Sequence, residues 1–267
     1  SAARRYFDSV DEGHLVWHVR ELDLRPAWVE RAVFRLVARW ADRVLTISKP
    51  LAQRFAPLVP TELVHNGVDL TRFLPRASER EGGPVMGWIG RLVPWKGVDN
   101  LLNVFREVRR SLPDARLLIA AAALDQHRNY ANRLREQAER QFGDSVQWLD
   151  GTDRPEDLYQ QMDLFVHLPT LREPFGRTLV EAQAAGVPVL SWPRGGIAET
   201  LKVGETGRLV PPGDCDAAAR VAIQLLNAPK HLRTMGEAAA VFARENFASE
   251  QYATAVQSQY EELLGID

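Results

Sequence analysis

The sequence predicts an α/β protein built on a doubly wound parallel sheet. Two observations carry this. From residue 84 onward, short aliphatic runs alternate with stretches of helical periodicity, the pattern of βαβ units. Several of those runs are apolar on nearly every residue, as strands covered on both faces must be.

The strand candidates are Pro84–Ile89, Ala115–Ala121, Val146–Leu149, Leu164–Leu168, Val187–Ser191 and Arg208–Val210. Helical stretches separate them at 97–111, 126–142, 155–162, 176–185 and 214–227, with Asp214 as an N-cap. The tail, 230–264, is helical without a further strand. Residues 1–75 have a different texture. His14–Arg20 reads as a buried strand, 27–41 as an amphipathic helix and Arg43–Ile47 as a second strand. Ser48 caps a helix that tolerates Pro50 in its first turn, and Leu63–His65 is a third strand before the Asn66-Gly67 turn. Arg76–Gly83 is polar and aperiodic, a linker. The expected organisation is a first part at 1–75, a linker at 76–83, a second part at 84–247 and a last helix at 248–267 that packs back on the first part.

Composition narrows the function. The 267 residues carry 33 Lys+Arg against 35 Asp+Glu, net -2, so no basic field for nucleic acid exists. A single cysteine, Cys215, excludes a disulfide framework and a cysteine-based zinc site, and fits a reducing compartment. No apolar run reaches the ~18 residues of a membrane span. The start at Ser1 rather than Met leads us to expect a processed or shortened product.

In a doubly wound sheet, ligands bind beyond the carboxyl ends of the strands. The first such loop is Gly87-Trp88-Ile89-Gly90-Arg91-Leu92-Val93-Pro94-Trp95-Lys96-Gly97, where Arg91 and Lys96 flank a helix start suited to phosphate oxygens. The plain alternative, equally weighted, is a tight turn with two solvated cations. Neither G-x-G-x-x-G nor a phosphate-binding G-x-x-x-x-G-K-[ST] occurs. The second loop is Thr170 to Thr178, with Glu173 in the loop, Gly176 at the helix start and Glu181 two turns on. The spacing alone decides nothing, because Glu237 and Glu245 share it in a plain helix; the setting singles out the first pair. Trp192–Ile197 forms a third loop and Val210–Asp214 a fourth. His14 and His18 lie in a strand without carboxylate company, so no metal site is expected.

Taken in order, these pieces resemble the GT4 family of retaining nucleotide-sugar glycosyltransferases, which have the GT-B fold. The matching residues are Trp17-His18-Val19-Arg20-Glu21, Ala41 to Ser48, Asn66-Gly67-Val68-Asp69 with Phe73, and Gly90-Arg91-Leu92 with Lys96-Gly97. They continue through Glu173-Pro174-Phe175-Gly176 to Glu181-Ala182, Gly186 to Val189, Gly195-Gly196 with Glu199, and Gly207 to Val210. The resemblance implies a complete Rossmann-like second domain and only the tail end of a similar first domain. It implies that Arg91 and Lys96, beside Gly90, hold a donor diphosphate of UDP or GDP type. It further implies that Glu173 contacts the donor sugar, that the backbone of Phe175, Gly176 and Arg177 cradles diphosphate and sugar, and that Glu181 binds the ribose. By the same resemblance His18 reaches the donor from the first domain. No metal or other cofactor is implied. The expected activity is metal-independent hexosyl transfer to a glycan or lipid-linked acceptor in polysaccharide synthesis. Alternatives are a non-catalytic nucleotide-sugar-binding subunit and a sugar-nucleotide epimerase.

Because most of the first domain has no counterpart, this chain alone is expected to bind donor but not to transfer, and to need a partner chain or a second copy. The expected location is cytoplasmic. The stripe of Arg31, Arg35 and Arg39 is a solvated face on the plain reading and a contact with anionic lipid on the sharper one.

Overall fold

The computed structural model describes residues 13–21, 26–77 and 80–266. Residues 1–12 and 22–25 of the expected first part, Ser78 and Glu79 of the expected linker, and Asp267 of the last helix lie outside the described residues.

Two parallel sheets organise the chain. The smaller has the order β1 (Val16–Val19), β2 (Arg43–Thr46), β3 (Thr61–Leu63). Helix α1 (Ala27–Trp40) joins β1 to β2, and α2 (Lys49–Phe55) joins β2 to β3. The larger sheet contains β4 (Val85–Leu92), β5 (Arg116–Ala123), β6 (Val146–Leu149), β7 (Leu164–His167), β8 (Val189–Ser191) and β9 (Gly207–Leu209). Its spatial order is β6-β5-β4-β7-β8-β9, all parallel. The crossovers are α3 (Val98–Ser111), α4 (Arg128–Phe142), α5 (Pro155–Tyr159) and α6 (Arg177–Ala184), with a 3-10 turn at Gly196–Glu199 before β9. The strand order reverses between β4 and β7, which opens a crevice at their carboxyl ends.

Period-2 alternation explains why the large sheet is apolar throughout. Val85 and Ile89 of β4, Leu118 and Ala120 of β5, and Phe165 of β7 face one core. Met86 and Trp88, Leu117 and Ile119, and Leu164 and Val166 face the other. Each core is closed by helices. The first continues into Phe34, Val44 and Phe55 of the smaller sheet's layer, so one apolar body spans both sheets.

The tail is not one helix. It comprises α8 (Pro229–Phe247) and α9 (Ser249–Leu264), which follow α7 (Cys215–Leu226). Ala248 is extended between α8 and α9, with φ -66 and ψ 149. The break lets Val68 pair with Ala248, and α9 then runs back to the smaller sheet. There Arg20 Nη2 donates to Tyr252 Oη at 2.7 Å, and Arg43 meets Glu262 at 2.9 Å. The described linker residues are pinned rather than free: Arg76 and Arg80 both pair with Asp163, at 3.0 and 2.8 Å. Asp214 caps α7 as expected, accepting from the Ala217 N–H at 2.7 Å.

Candidate active site

A cleft of about 610 Å³ lies at the reversal point between the two sheets. Its floor is the end of β4, with Ile89, Gly90 and Arg91, followed by Trp95 and Lys96 on a 3-10 turn. Its second wall is the loop after β7 and the first turns of α6, Leu171 to Thr178 with Glu181. Ile47 and Asn66, with Arg20 and Glu21, come from the smaller sheet's side. The cleft thus gathers Gly90, Arg91, Lys96, Glu173, Phe175, Gly176, Arg177 and Glu181, all expected from sequence.

Gly176 begins α6 with φ +98, a left-handed backbone that favours glycine, and the start of the helix lines the cleft. A loop on the far side holds the Glu173 segment in place. Glu173 and Gly195 form a bridge, and a Cβ on Gly195 would lie 2.1 Å from the Glu173 carbonyl oxygen. Only a residue without a side chain fits that contact.

The charges are arranged in depth. Arg91 is exposed at the mouth. Lys96 Nζ stands 2.5 Å from Glu173 Oε2 and 4.4 Å from the Trp95 ring centroid. His167, at the end of β7 and 1% exposed, places Nε2 3.3 Å from the same Glu173 oxygen. The Trp88 indole N–H donates to His167 Nδ1 at 3.3 Å. Burial alone would raise the Glu173 carboxyl; the His167 hydrogen bond and the Lys96 charge outweigh it and hold the group at about 2. Burial lowers His167, against the opposing pull of Glu173. Glu181 behaves differently: burial raises it, although the Tyr159 hydroxyl donates to its Oε2 at 3.1 Å. The two glutamates therefore sit in contrasting environments, one ion-paired and one desolvated.

One expected residue is not brought to the cleft. His18 lies inside β1, paired with Leu45, and its ring meets α9: Nε2 and Tyr260 Oη are 3.1 Å apart, Nδ1 and Tyr252 Oη 3.4 Å. The residues beyond the strand's carboxyl end, Arg20 and Glu21, line the cleft instead. The carboxyl-end rule itself was the missed signal, since His18 precedes the last residue of β1. Sequence reading also passed over Trp95, Asn66 and His167. Among the described residues, no group of three His, Cys, Asp or Glu could hold a metal ion. Among the described residues, no helix is long and apolar enough to cross a membrane. A second cavity, about 370 Å³, lies at the opposite ends of the strands, between the linker and α8, and Glu237 borders it.

Comparisons with known proteins agree with this architecture. The chain is 32% identical over 241 residues to a GDP-mannose-dependent α-(1-6)-phosphatidylinositol monomannoside mannosyltransferase of Mycolicibacterium smegmatis; the match covers 82% of this chain and 62% of that protein. It is 27% identical to the lipopolysaccharide core mannosyltransferase LpsB of Rhizobium meliloti, over 93% of this chain and 80% of that one. Two solved structures share the fold. HepE of Anabaena, in complex with UDP and glucose, superposes with a TM-score of 0.82 at 24% identity, covering 93% of this chain and 71% of that chain. Sucrose-phosphate synthase of Thermosynechococcus elongatus gives 0.86 at 22% identity, covering 100% and 72%. The chain therefore has the two-sheet GT-B architecture, and with residues 71–242 matching their pattern it belongs to the glycosyl transferases group 1.

Proposed function

We propose that this chain carries the donor site of a glycosyltransferase that moves a hexosyl group from a UDP or GDP sugar to a glycan or lipid-linked acceptor, with retention and without a metal. The observation that supports it most is the gathering of Arg91, Lys96, Glu173 and Glu181 around one cleft at the strand reversal. Arg91 and Lys96, with the N–H groups of α6, neutralise the leaving diphosphate, the work a cation does elsewhere. Glu181, deep beside Tyr159, takes the ribose hydroxyls, and Glu173 takes the sugar hydroxyls. As the bond from the anomeric carbon to the phosphate oxygen breaks, the acceptor oxygen bonds to that carbon on the same face. Its proton passes to the leaving phosphate. The names of the mannosyl-transferring relatives favour mannose as the hexose and a lipid-linked acceptor.

The outer face of α1 supports a site of action at the cytoplasmic surface of a membrane. Trp28 and Leu36 are 65% and 54% exposed, beside exposed Arg31, Arg35 and Arg39. Such a face attracts anionic head groups at about 1 kcal/mol per cation.

Calorimetric titration with UDP and GDP, beside a transfer assay, tests the reading. Binding of one nucleotide diphosphate is expected, since the donor loops rest on the large sheet. Transfer requires in addition that an acceptor be held beside the donor. Failure of a folded chain to bind either nucleotide would overturn the donor-site assignment.

A further inference from the structure

Lys96 and Glu173 face a conflict of roles. In the structure they hold one another. On the reading proposed above, on which this inference rests, a bound donor draws Lys96 to its phosphates while Glu173 must stay aimed at the sugar. Some other donor then has to fix the carboxylate. The described residues offer one buried candidate. His167 Nε2 lies 3.3 Å from Glu173 Oε2, the oxygen that Lys96 also meets.

We propose that the pair Trp88–His167 is the positioning device for Glu173: the indole N–H fixes the imidazole tautomer, and the imidazole N–H holds the carboxylate when Lys96 turns to the donor. An indole nitrogen can only donate, so His167 Nδ1 accepts and the neutral ring carries its hydrogen on Nε2, facing Glu173. Trp88 and His167 are each 1% exposed, which removes water as a competing partner. They stand on adjacent strands, β4 and β7, the two that flank the strand reversal. The device is thus anchored in the sheet, while Glu173 and Lys96 ride on loops. Rigid strands make a better reference for a sugar-reading carboxylate than the loops it sits on.

The test compares the affinity of nucleoside diphosphate with that of the matching nucleotide sugar, UDP-glucose or GDP-mannose, together with donor hydrolysis. His167→Leu is expected to weaken the nucleotide sugar about 10-fold or more, the scale of a hydrogen bond to a charged group, with the bare diphosphate changed less than about 2-fold. His167→Gln, which still presents an N–H, should recover most of that loss. Trp88→Phe keeps the ring volume and removes the indole donor, and should give an intermediate loss. A purely packing role predicts the opposite ranking, with Leu tolerated at least as well as Gln. Equal sugar-dependent affinity in all three variants, or equal losses for diphosphate and sugar nucleotide, would overturn the proposal while leaving the donor site intact. If His167→Leu does not fold, Trp88→Phe and His167→Gln alone decide. A wild-type chain that binds no nucleotide overturns both this inference and the reading beneath it.

Discussion

Glu199, on the turn after β8, accepts the Lys49 backbone N–H through both carboxylate oxygens, at 2.9 and 3.0 Å. Its Oε2 also meets His65 Nε2 at 2.9 Å. A residue of the large sheet's layer thereby caps the first turn of α2, and Ser48, at the N-cap position, makes no capping bond. The Ser48 hydroxyl is buried without a partner.

Capping by a distant residue inverts the usual expectation for the two positions. Glu199→Gln should cost about 1–2 kcal/mol of stability, as the loss of a charged cap does. Ser48→Ala should be neutral or slightly stabilising, because it removes an unsatisfied group. Urea unfolding of the two variants checks the ranking, and a larger loss at Ser48 than at Glu199 would refute it.

Arg91→Ala and Lys96→Ala should each weaken nucleotide-diphosphate binding by about 1.5–3 kcal/mol, the scale of a charge-assisted hydrogen bond. The bare nucleoside should be little affected. Titration calorimetry separates the two ligands. Unchanged diphosphate affinity in both variants would remove these residues from the site.

Glu181→Gln should weaken nucleotides that carry no sugar, since the ribose hydroxyls are its partners. Glu173→Gln should leave the diphosphate nearly unaffected and damage sugar recognition. Glu237→Gln should do neither: it pairs with Arg233 at 3.3 Å and faces the other cavity. Equal effects of the first two substitutions on diphosphate affinity would show that the roles are misassigned.

Acid stability should report the Glu173 environment. Its carboxyl, held at about 2 in the fold against about 4.3 when unfolded, contributes stability above the unfolded value and loses it as pH falls toward 2. The full contribution is of order 3 kcal/mol. The fall in unfolding free energy between neutral pH and about pH 3 should therefore be larger in wild type than in Glu173→Gln. Parallel pH curves for the two proteins would contradict this.

The fold was legible because strand burial leaves a local mark: six aliphatic runs separated by helices fixed the large sheet, and the loops after them located Arg91, Lys96, Glu173 and Glu181. What escaped was non-local. Trp88 and His167 are 79 residues apart, and only the pairing of β4 with β7 sets them face to face. Lys49 and Glu199 are 150 apart. Ser48 looked like a cap because the preference is local, whereas the winning carboxylate arrives from the other sheet's layer. His18 lies within β1, whereas Arg20 and Glu21, past the strand's end, line the cleft. Ala248, where a last helix was expected to begin, carries no proline or glycine, and it pairs with Val68.

The return of α9 to the smaller sheet has a consequence for biosynthesis. Arg20 and its partner Tyr252 are separated by 232 positions. At a translation speed of ~5–20 residues per second, the first strand waits roughly 12–46 s for the helix that covers it. During that interval His18 and Arg20 lack the tyrosine hydroxyls that they meet in the finished fold. Slow synthesis of the stretch between the two segments would lengthen this interval, in which a nascent-chain chaperone would act on β1.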